Sequence, residues 1–227
     1  MVHGEIYLLS VKQGYQKGEV IKAGDCILHR HYCGFCFITG EPNANALEDI
    51  YMKAQDLDRA VLFTNDDNVI DYYKRKNIKT GTRYFFEYKQ KDIQIPAIPE
   101  GFRLQPVNKD NIYKLEGRIK PDFSWYKMEE FLSKGSGFVI TKDNEPAAWA
   151  FSAAVSDTEI DIGVETVEKY RGKGLSTIVA SKMTETALML GKTPVWACDS
   201  QNIASQKVAL KAGFEKIGAC TTIMLKL

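Results

Sequence analysis

Residues Tyr170-Arg171-Gly172-Lys173-Gly174-Leu175-Ser176 bring two glycines and two full positive charges to the start of an apolar periodic run. A helix opens with unpaired N–H groups and a partial positive charge, and glycine lets the backbone close around an anion with no Cβ in the way. Arg171 and Lys173 add charge, and Leu175, Ser176 and Thr177 would present amides from the first helical turn. A diphosphate fits such a loop better than a neutral ligand. By itself, however, a Gly-Lys-Gly turn before a helix is as often a solvated connection. Two other nucleotide loops are absent: there is no G-x-x-x-x-G-K-[ST], and the third glycine of a dinucleotide fingerprint is missing.

A second cluster of reactive types is Cys26-x-x-His29-x-His31-x-Cys33-x-x-Cys36. Imidazole and thiolate are zinc ligands, and C-x-x-C is a common half-site. Yet Ile27, Leu28, Tyr32, Phe35 and Phe37 make the stretch read as one buried strand, on which residues three apart face opposite ways. No second C-x-x-C exists, so these cysteines are expected in the core and no metal site is expected.

The elements that must hold the basic loop can be read around it. Gly137 to Thr141, Ala147 to Val155 and Thr158 to Val164 alternate as strands, with Asp143-Asn144-Glu145-Pro146 and Ser156-Asp157 as turns, which suggests an antiparallel meander. Leu175 to Leu190 then carries Leu175, Ile178, Val179, Met183, Ala187 and Leu190 on one helical face, with Gly191 at the C-terminal stop. A strand Val195 to Cys198, a helix from about Asn202 to Ala212 stopped by Gly213, and a strand pair opened by Phe214 complete this half. Ahead of the meander, Ile112, Leu115 and Ile119 suggest a helix over 108–120, and Ser124 a cap for a second helix carrying Phe131 and Leu132. The Pro- and Gly-bearing stretch Gln94 to Gly101 marks a boundary, giving regions 1–94 and 95–227.

Taken together, these residues resemble the GNAT superfamily of N-acetyltransferases. Its phosphate-binding signature, R/Q-x-x-G-x-G/A at a helix start, is matched by Arg171 to Ser176 with the small Ser176 in the last place. Val195 to Cys198, Asn202 and Gly213-Phe214 reproduce a further family sequence of strand, Asn and Gly-Phe exit. The run Tyr-Arg-Gly-Lys-Gly-Leu with Trp196, Cys198, Asn202-Ile-Ala-Ser205 and Gly213-Phe214 is similar to the bacterial group that includes the zwittermicin A resistance acetyltransferase. The resemblance implies an α/β (α+β) fold, a mixed but mostly antiparallel sheet flanked by helices. It also implies acetyl-coenzyme A as co-substrate, attacked directly by an amine.

On that resemblance, Val164, Glu165 and Thr166 would expose backbone amides to the cofactor arm, while Asn202 and Ser205 would lie near its pantetheine. The base would come from Glu159, Asp161 or Glu165, of which the first two share a face by strand alternation. Glu159 is favoured because histone-acetylating relatives have a Thr-Glu-Ile strand like Thr158-Glu159-Ile160. Equally, any of these acids could simply solvate an exposed strand. Where many family members place a proton-donating tyrosine, this chain has Ala209; Ser205, Cys198 or water replaces it, or the thiolate leaves without an acid.

The first region contains a stretch that aligns with the second. Val61 to Val69 lies without gaps on Val195 to Ile203, each reading as strand, polar turn and an Asn, here Asn68 or Asn202, opening a helix. With a small gap Asn77-Ile78 falls on Gly213-Phe214, and both copies end in a β-rich tail, Thr82 to Lys89 and Cys220 to Leu227. Residues 1–94 therefore read as a degenerate half of the same fold, without the phosphate loop, that packs on the second half and shapes the acceptor cleft. Strand-turn-helix units also recur by chance across α/β folds.

Composition narrows the function classes. With 30 Lys plus Arg against 29 Asp plus Glu in 227 residues, the chain has no overall field for nucleic acid or an anionic membrane. No run reaches the roughly 18 apolar residues of a membrane span, and MVHGEIYLLSVKQG lacks the features of a secretory signal. A cytoplasmic protein with no disulfide framework is expected from these features and from five cysteines. The expected partner is a small-molecule amine, with a homodimer left open. The competing reading is a non-catalytic acyl-coenzyme A-binding or sensing protein of the same fold.

Overall fold

The computed structural model describes residues 4–227, so the first three residues of the opening segment lie outside it. Eleven strands are β1 (Gly18–Ala23), β2 (Cys26–His31), β3 (Phe35–Thr39), β4 (Ala60–Thr64), β5 (Thr80–Tyr88), β6 (Phe102–Pro106), β7 (Gly137–Lys142), β8 (Glu145–Val155), β9 (Glu159–Thr166), β10 (Thr193–Asp199) and β11 (Phe214–Lys226). They form one sheet in the order β1-β2-β3-β4-β11-β5-β10-β9-β8-β7-β6. All neighbours are antiparallel except β3 with β4 and β9 with β10. The helices are α1 (Ile6–Lys12), α2 (Ala44–Ala54), α3 (Asp67–Arg75), α4 (Met128–Lys134), α5 (Leu175–Met189) and α6 (Ile203–Lys211). This is the expected mixed, mostly antiparallel sheet flanked by helices.

The two regions meet at the middle of this sheet and interleave there. In the order β4-β11-β5-β10, the last strand of each region lies between two strands of the other region. β11 pairs with β4 through Thr221 to Lys226 and with β5 through Phe214 to Ile223. The expected strand pair after Phe214 is instead a single strand of 13 residues with a bulge between Lys216 and Gly218. The place beside β10 that a second C-terminal strand could fill is taken by β5.

α5 lies on β7, β8, β9 and β10, burying Leu175, Ile178, Val179, Met183 and Ala187 as the periodicity predicts. Ala147, Ala148, Ala150, Ala153 and Ala154 make β8 a thin inner strand, so helices can approach both faces closely. Leu190 is exposed and serves as the C-cap, while Gly191 turns at φ 69°, a left-handed value suited to glycine. α1 packs on β2, β3, β8 and β9. Thr166 meets α5 and Asp161 meets α1, and their odd spacing on β9 puts these helices on opposite faces. Among the described residues no helix is long and apolar enough to cross a membrane.

Several expectations need correction. The helix over 108–120 is only a short 3-10 turn, Ile112–Lys114. Asn108 and Asn111 spend their side chains on local backbone bonds, Gly117 lies against Trp149, and the Ile119 carbonyl accepts from the Trp149 indole. Side-chain bonds to the backbone compete with a helix in this way. Ser124 caps nothing; α4 starts later, at Met128, with Phe131 buried. Asp66, not Asn68, caps α3, its carboxylate accepting from the amides of Asn68 and Val69. Asn77 does turn left-handed, at φ 57°. The Cys26 to Phe37 stretch is two strands, broken by a turn in which Gly34 has φ 88° and no room for a Cβ beside Arg59. Cys26 and Cys36 enter one core cluster and Cys33 another, and all five cysteines are free and buried.

Candidate active site

β9 and β10 run parallel but are hydrogen-bonded only from Glu159 to Asp161 against Thr193 to Val195. Beyond Asp161 the β9/β10 ladder stops and the strands fork, and at the far end the Thr166 carbonyl accepts from Arg171 Nε at 3.4 Å. Gly163, Val164, Glu165 and Thr166 form one prong, Ala197, Cys198 and Asp199 the other. A fork in a sheet leaves backbone donors and acceptors free for an extended ligand arm.

The basic loop closes the open end of the fork. Gly172 and Gly174 have φ 80° and 77°, and a Cβ built on either meets nothing within 4 Å, so backbone conformation requires glycine while the space above stays open. Among the described residues, the amides of Gly172 to Ser176 donate no hydrogen bond, as expected at the start of a helix with no side-chain cap. Arg171 and Lys173 are exposed beside them. Thr166 Oγ1 and Ser176 Oγ lie 2.7 Å apart, tying the end of β9 to the first turn of α5. Leu175 is buried beneath, and Thr177 bonds back to Gly174. Tyr170 packs edge-on to Phe102 and anchors the loop to β6.

The other expected ligand contacts are engaged inside the protein. Asn202 caps α6 by accepting from the Ser205 amide at 3.0 Å. Ser205 Oγ accepts from the Trp196 indole at 3.0 Å, which joins α6 to β10 beside the fork. Ala209 is enclosed in the core under α6, and burial holds the Cys198 thiol above its ordinary pKa.

On the α1 face of the sheet lies a cavity of about 320 Å³, lined by α1, β5, β9, β10, Phe63 and Ile217. Both Glu159 and Asp161 open into it, as strand alternation predicts. Burial raises the Glu159 pKa, with Asp161, Glu87 and Glu5 adding like-charge repulsion. Asp161 is pushed up to about 6 by burial, opposed by Arg83 and by a 2.7 Å hydrogen bond from the Tyr7 hydroxyl. Glu165 is elsewhere. Its carboxylate accepts from the Ile119 amide at 3.2 Å, holding the loop that crosses Trp149.

Tyr7, Arg83 and Glu87 are the site residues that sequence reasoning missed. Arg83 carried the one available signal, a cation inside the apolar tail Thr82 to Lys89. Tyr7 carried none, since its partner is 154 positions away. Among the described residues no group of three His, Cys, Asp or Glu could hold a metal ion.

A family model described as GNAT acetyltransferase matches residues 13–223. An uncharacterised N-acetyltransferase of Bacillus subtilis (strain 168) is 26% identical over 195 residues, covering 81% of this chain and 75% of the relative. A GCN5-related N-acetyltransferase-like protein from Streptococcus suis superposes with a TM-score of 0.77 at 22% identity, covering 98% of this chain and 93% of that one. A tandem GNAT protein from the clavulanic acid biosynthesis pathway gives 0.60 at 12% identity, covering 92% and 82%. At these identities the solved structures attest the fold.

Proposed function

From a chain that belongs to the GNAT acetyltransferase family, we propose an acetyl-coenzyme A-dependent enzyme that acetylates the amine of a small molecule. The observation that carries this reading is the loop with left-handed Gly172 and Gly174 and free amides, set at the mouth of the β9/β10 fork. Oriented amides at a helix start bind a diphosphate, and Arg171 and Lys173 add charge to the same point. The pantetheine arm then follows the edge of Gly163 to Glu165, where β9 has left β10, toward Asp161, where the ladder closes. Coenzyme A supplies the activated thioester when bound; everything else falls to this chain.

The fork ends beside the cavity on the opposite face, because Asp161 and Ala197 belong to both. An acceptor amine there meets the thioester through the gap between strands. Such an amine reacts only when neutral, and Glu159, partly exposed and with a raised pKa, is placed to take its proton. Asp161 is already bonded to Tyr7 and acts as the electrostatic neighbour of Glu159. The departing thiolate has an ordinary pKa near about 8.5, so it leaves without an obligatory acid at Ala209.

Calorimetry with coenzyme A on the parent chain and on Arg171→Ala, paired with thiol release from acetyl-coenzyme A over a panel of amines, tests the reading. Cofactor affinity that depends on Arg171 together with amine-dependent release is expected. Binding with background release for every amine would favour a non-catalytic acyl-coenzyme A sensor instead.

A further inference from the structure

The cavity on the α1 face is electrically divided along its length. Arg83, Phe85 and Glu87 alternate onto one face of β5, with Glu87 level with Val195 and Asp161, and Arg83 level with Asp199. Four residues of strand separate the two levels, but the Arg83 side chain reaches back to the Ala197 carbonyl, only two residues, or about 7 Å of strand, from the level of Asp161. Glu5, Glu87, Glu159 and Asp161 line the acidic end, Arg83 the basic end, with Phe63, Phe85, Val195 and Ile217 among the walls.

Arg83 is the unusual member. Its Nη2 donates to the Ala197 carbonyl at 3.1 Å, but its Nε is buried and finds no acceptor. No carboxylate of the described residues lies within ion-pair distance of it. A second guanidinium, Arg59, lies near both Arg83 and Arg118, donates to the Cys33 carbonyl and sits over the Phe35 ring. A guanidinium presents a planar fork of donors that matches a carboxylate, and leaving such donors buried and unused is costly. Asp161 shares the cavity with Arg83 without pairing to it, which leaves a gap between opposite charges.

Resting on the acetyltransferase reading above, we propose that the acceptor is a small amino acid with an apolar side chain, its amine at the Glu159 and Asp161 end and its carboxylate on Arg83. The guanidinium is a specificity-determining group: it selects the carboxylate and thereby aims the amine at the fork. Apolar walls receive the side chain, and the volume of about 320 Å³ suits a molecule the size of phenylalanine rather than a peptide.

The test uses matched probes, L-phenylalanine against phenethylamine and L-leucine against isoamylamine, which differ only in the carboxylate. With the parent chain, kcat/KM should fall about 100-fold on losing it, the worth of one bidentate charged contact. In Arg83→Met that preference should shrink to a few-fold, with coenzyme A affinity unchanged by calorimetry; Arg83→Lys, which keeps the charge but not the fork, should fall between. Unchanged coenzyme A binding also shows that the variants are folded. Direct calorimetry of L-phenylalanine, without turnover, separates the two readings. Arg83-dependent binding with no acetylation of any probe keeps the amino acid site and removes the enzyme reading. Equal use of each pair by the parent, or a preference that survives Arg83→Met, overturns the amino acid proposal alone.

Discussion

The Tyr7 hydroxyl donates a 2.7 Å hydrogen bond to Asp161, and it joins α1 to β9 inside the core. Burial pushes the Asp161 pKa up to about 6, whereas an aspartate in the unfolded chain titrates near about 3.9. The native state therefore holds this proton more tightly than the unfolded state does. Its contribution to stability is greatest below the unfolded value and is lost as pH rises through about 6. Asp161→Asn should remove that slope. Urea melts should find the variant about 2–3 kcal/mol more stable than the parent at pH 7.5, and nearly equal to it at pH 4. An unchanged slope would mean that some other group carries the titration.

Tyr7→Phe deletes the donor and leaves Asp161 buried with one partner fewer. The bond lowers the Asp161 pKa, so its loss should raise that pKa further. Stability should drop by about 1–3 kcal/mol at neutral pH and by less at pH 4, where the folded-state carboxyl is protonated. A loss of the same size at both pH values would mark Tyr7 as packing alone.

Glu159 and Glu165 share a strand face by their even spacing on β9 but differ in surroundings. Glu159→Gln should lower kcat by about 100-fold or more while leaving the melt within about 0.5 kcal/mol. Glu165→Gln keeps an acceptor for the Ile119 amide and should keep kcat within a few-fold; Glu165→Ala should unsettle the 117–119 loop and raise KM. Reversed kinetics for the two glutamines would move the base to Glu165.

Gly174→Ala places a side chain at φ 77°, where the left-handed conformation costs about 1–2 kcal/mol. No atom lies near the added Cβ in the free protein, so the stability loss should stop there. With coenzyme A the same methyl occupies the phosphate's approach, and Kd should rise at least about 10-fold beyond what the melt explains. Calorimetry and a thermal melt on one preparation distinguish the two effects.

The parts of the site that could be read from sequence are the local ones. The glycine loop, the long α5 face and the Asn202 cap each depend on residues within a few positions, so spacing alone encodes them. Glu159 and Asp161 were placed on a common face by the two-residue period of a strand. What escaped is non-local: Tyr7 reaches Asp161 across 154 positions and Arg83 reaches Ala197 across 114. The 108–120 stretch misled because its apolar spacing is helical, while Asn108, Asn111 and Gly117 commit the backbone to a loop against Trp149. Propensity there yields to packing.

The interleaved strands at the centre of the sheet make a last prediction about cooperativity. β5 supplies one edge contact to β10 and the other to β11, so cutting the chain between 94 and 95 leaves each fragment with a gap where a paired strand should be. Fragment 95–227 alone would expose the facing edges of β10 and β11, and fragment 1–94 would lose the strand between β4 and β5. Unpaired buried edges are costly and prone to aggregate. The intact chain should therefore unfold in one transition, with fluorescence and far-ultraviolet circular dichroism superimposing. Each fragment should be insoluble or unfolded by itself, and the two should recover native circular dichroism when refolded together. Two resolved transitions, or a folded 95–227 fragment that binds coenzyme A unaided, would show that the exchanged strands are dispensable to either half.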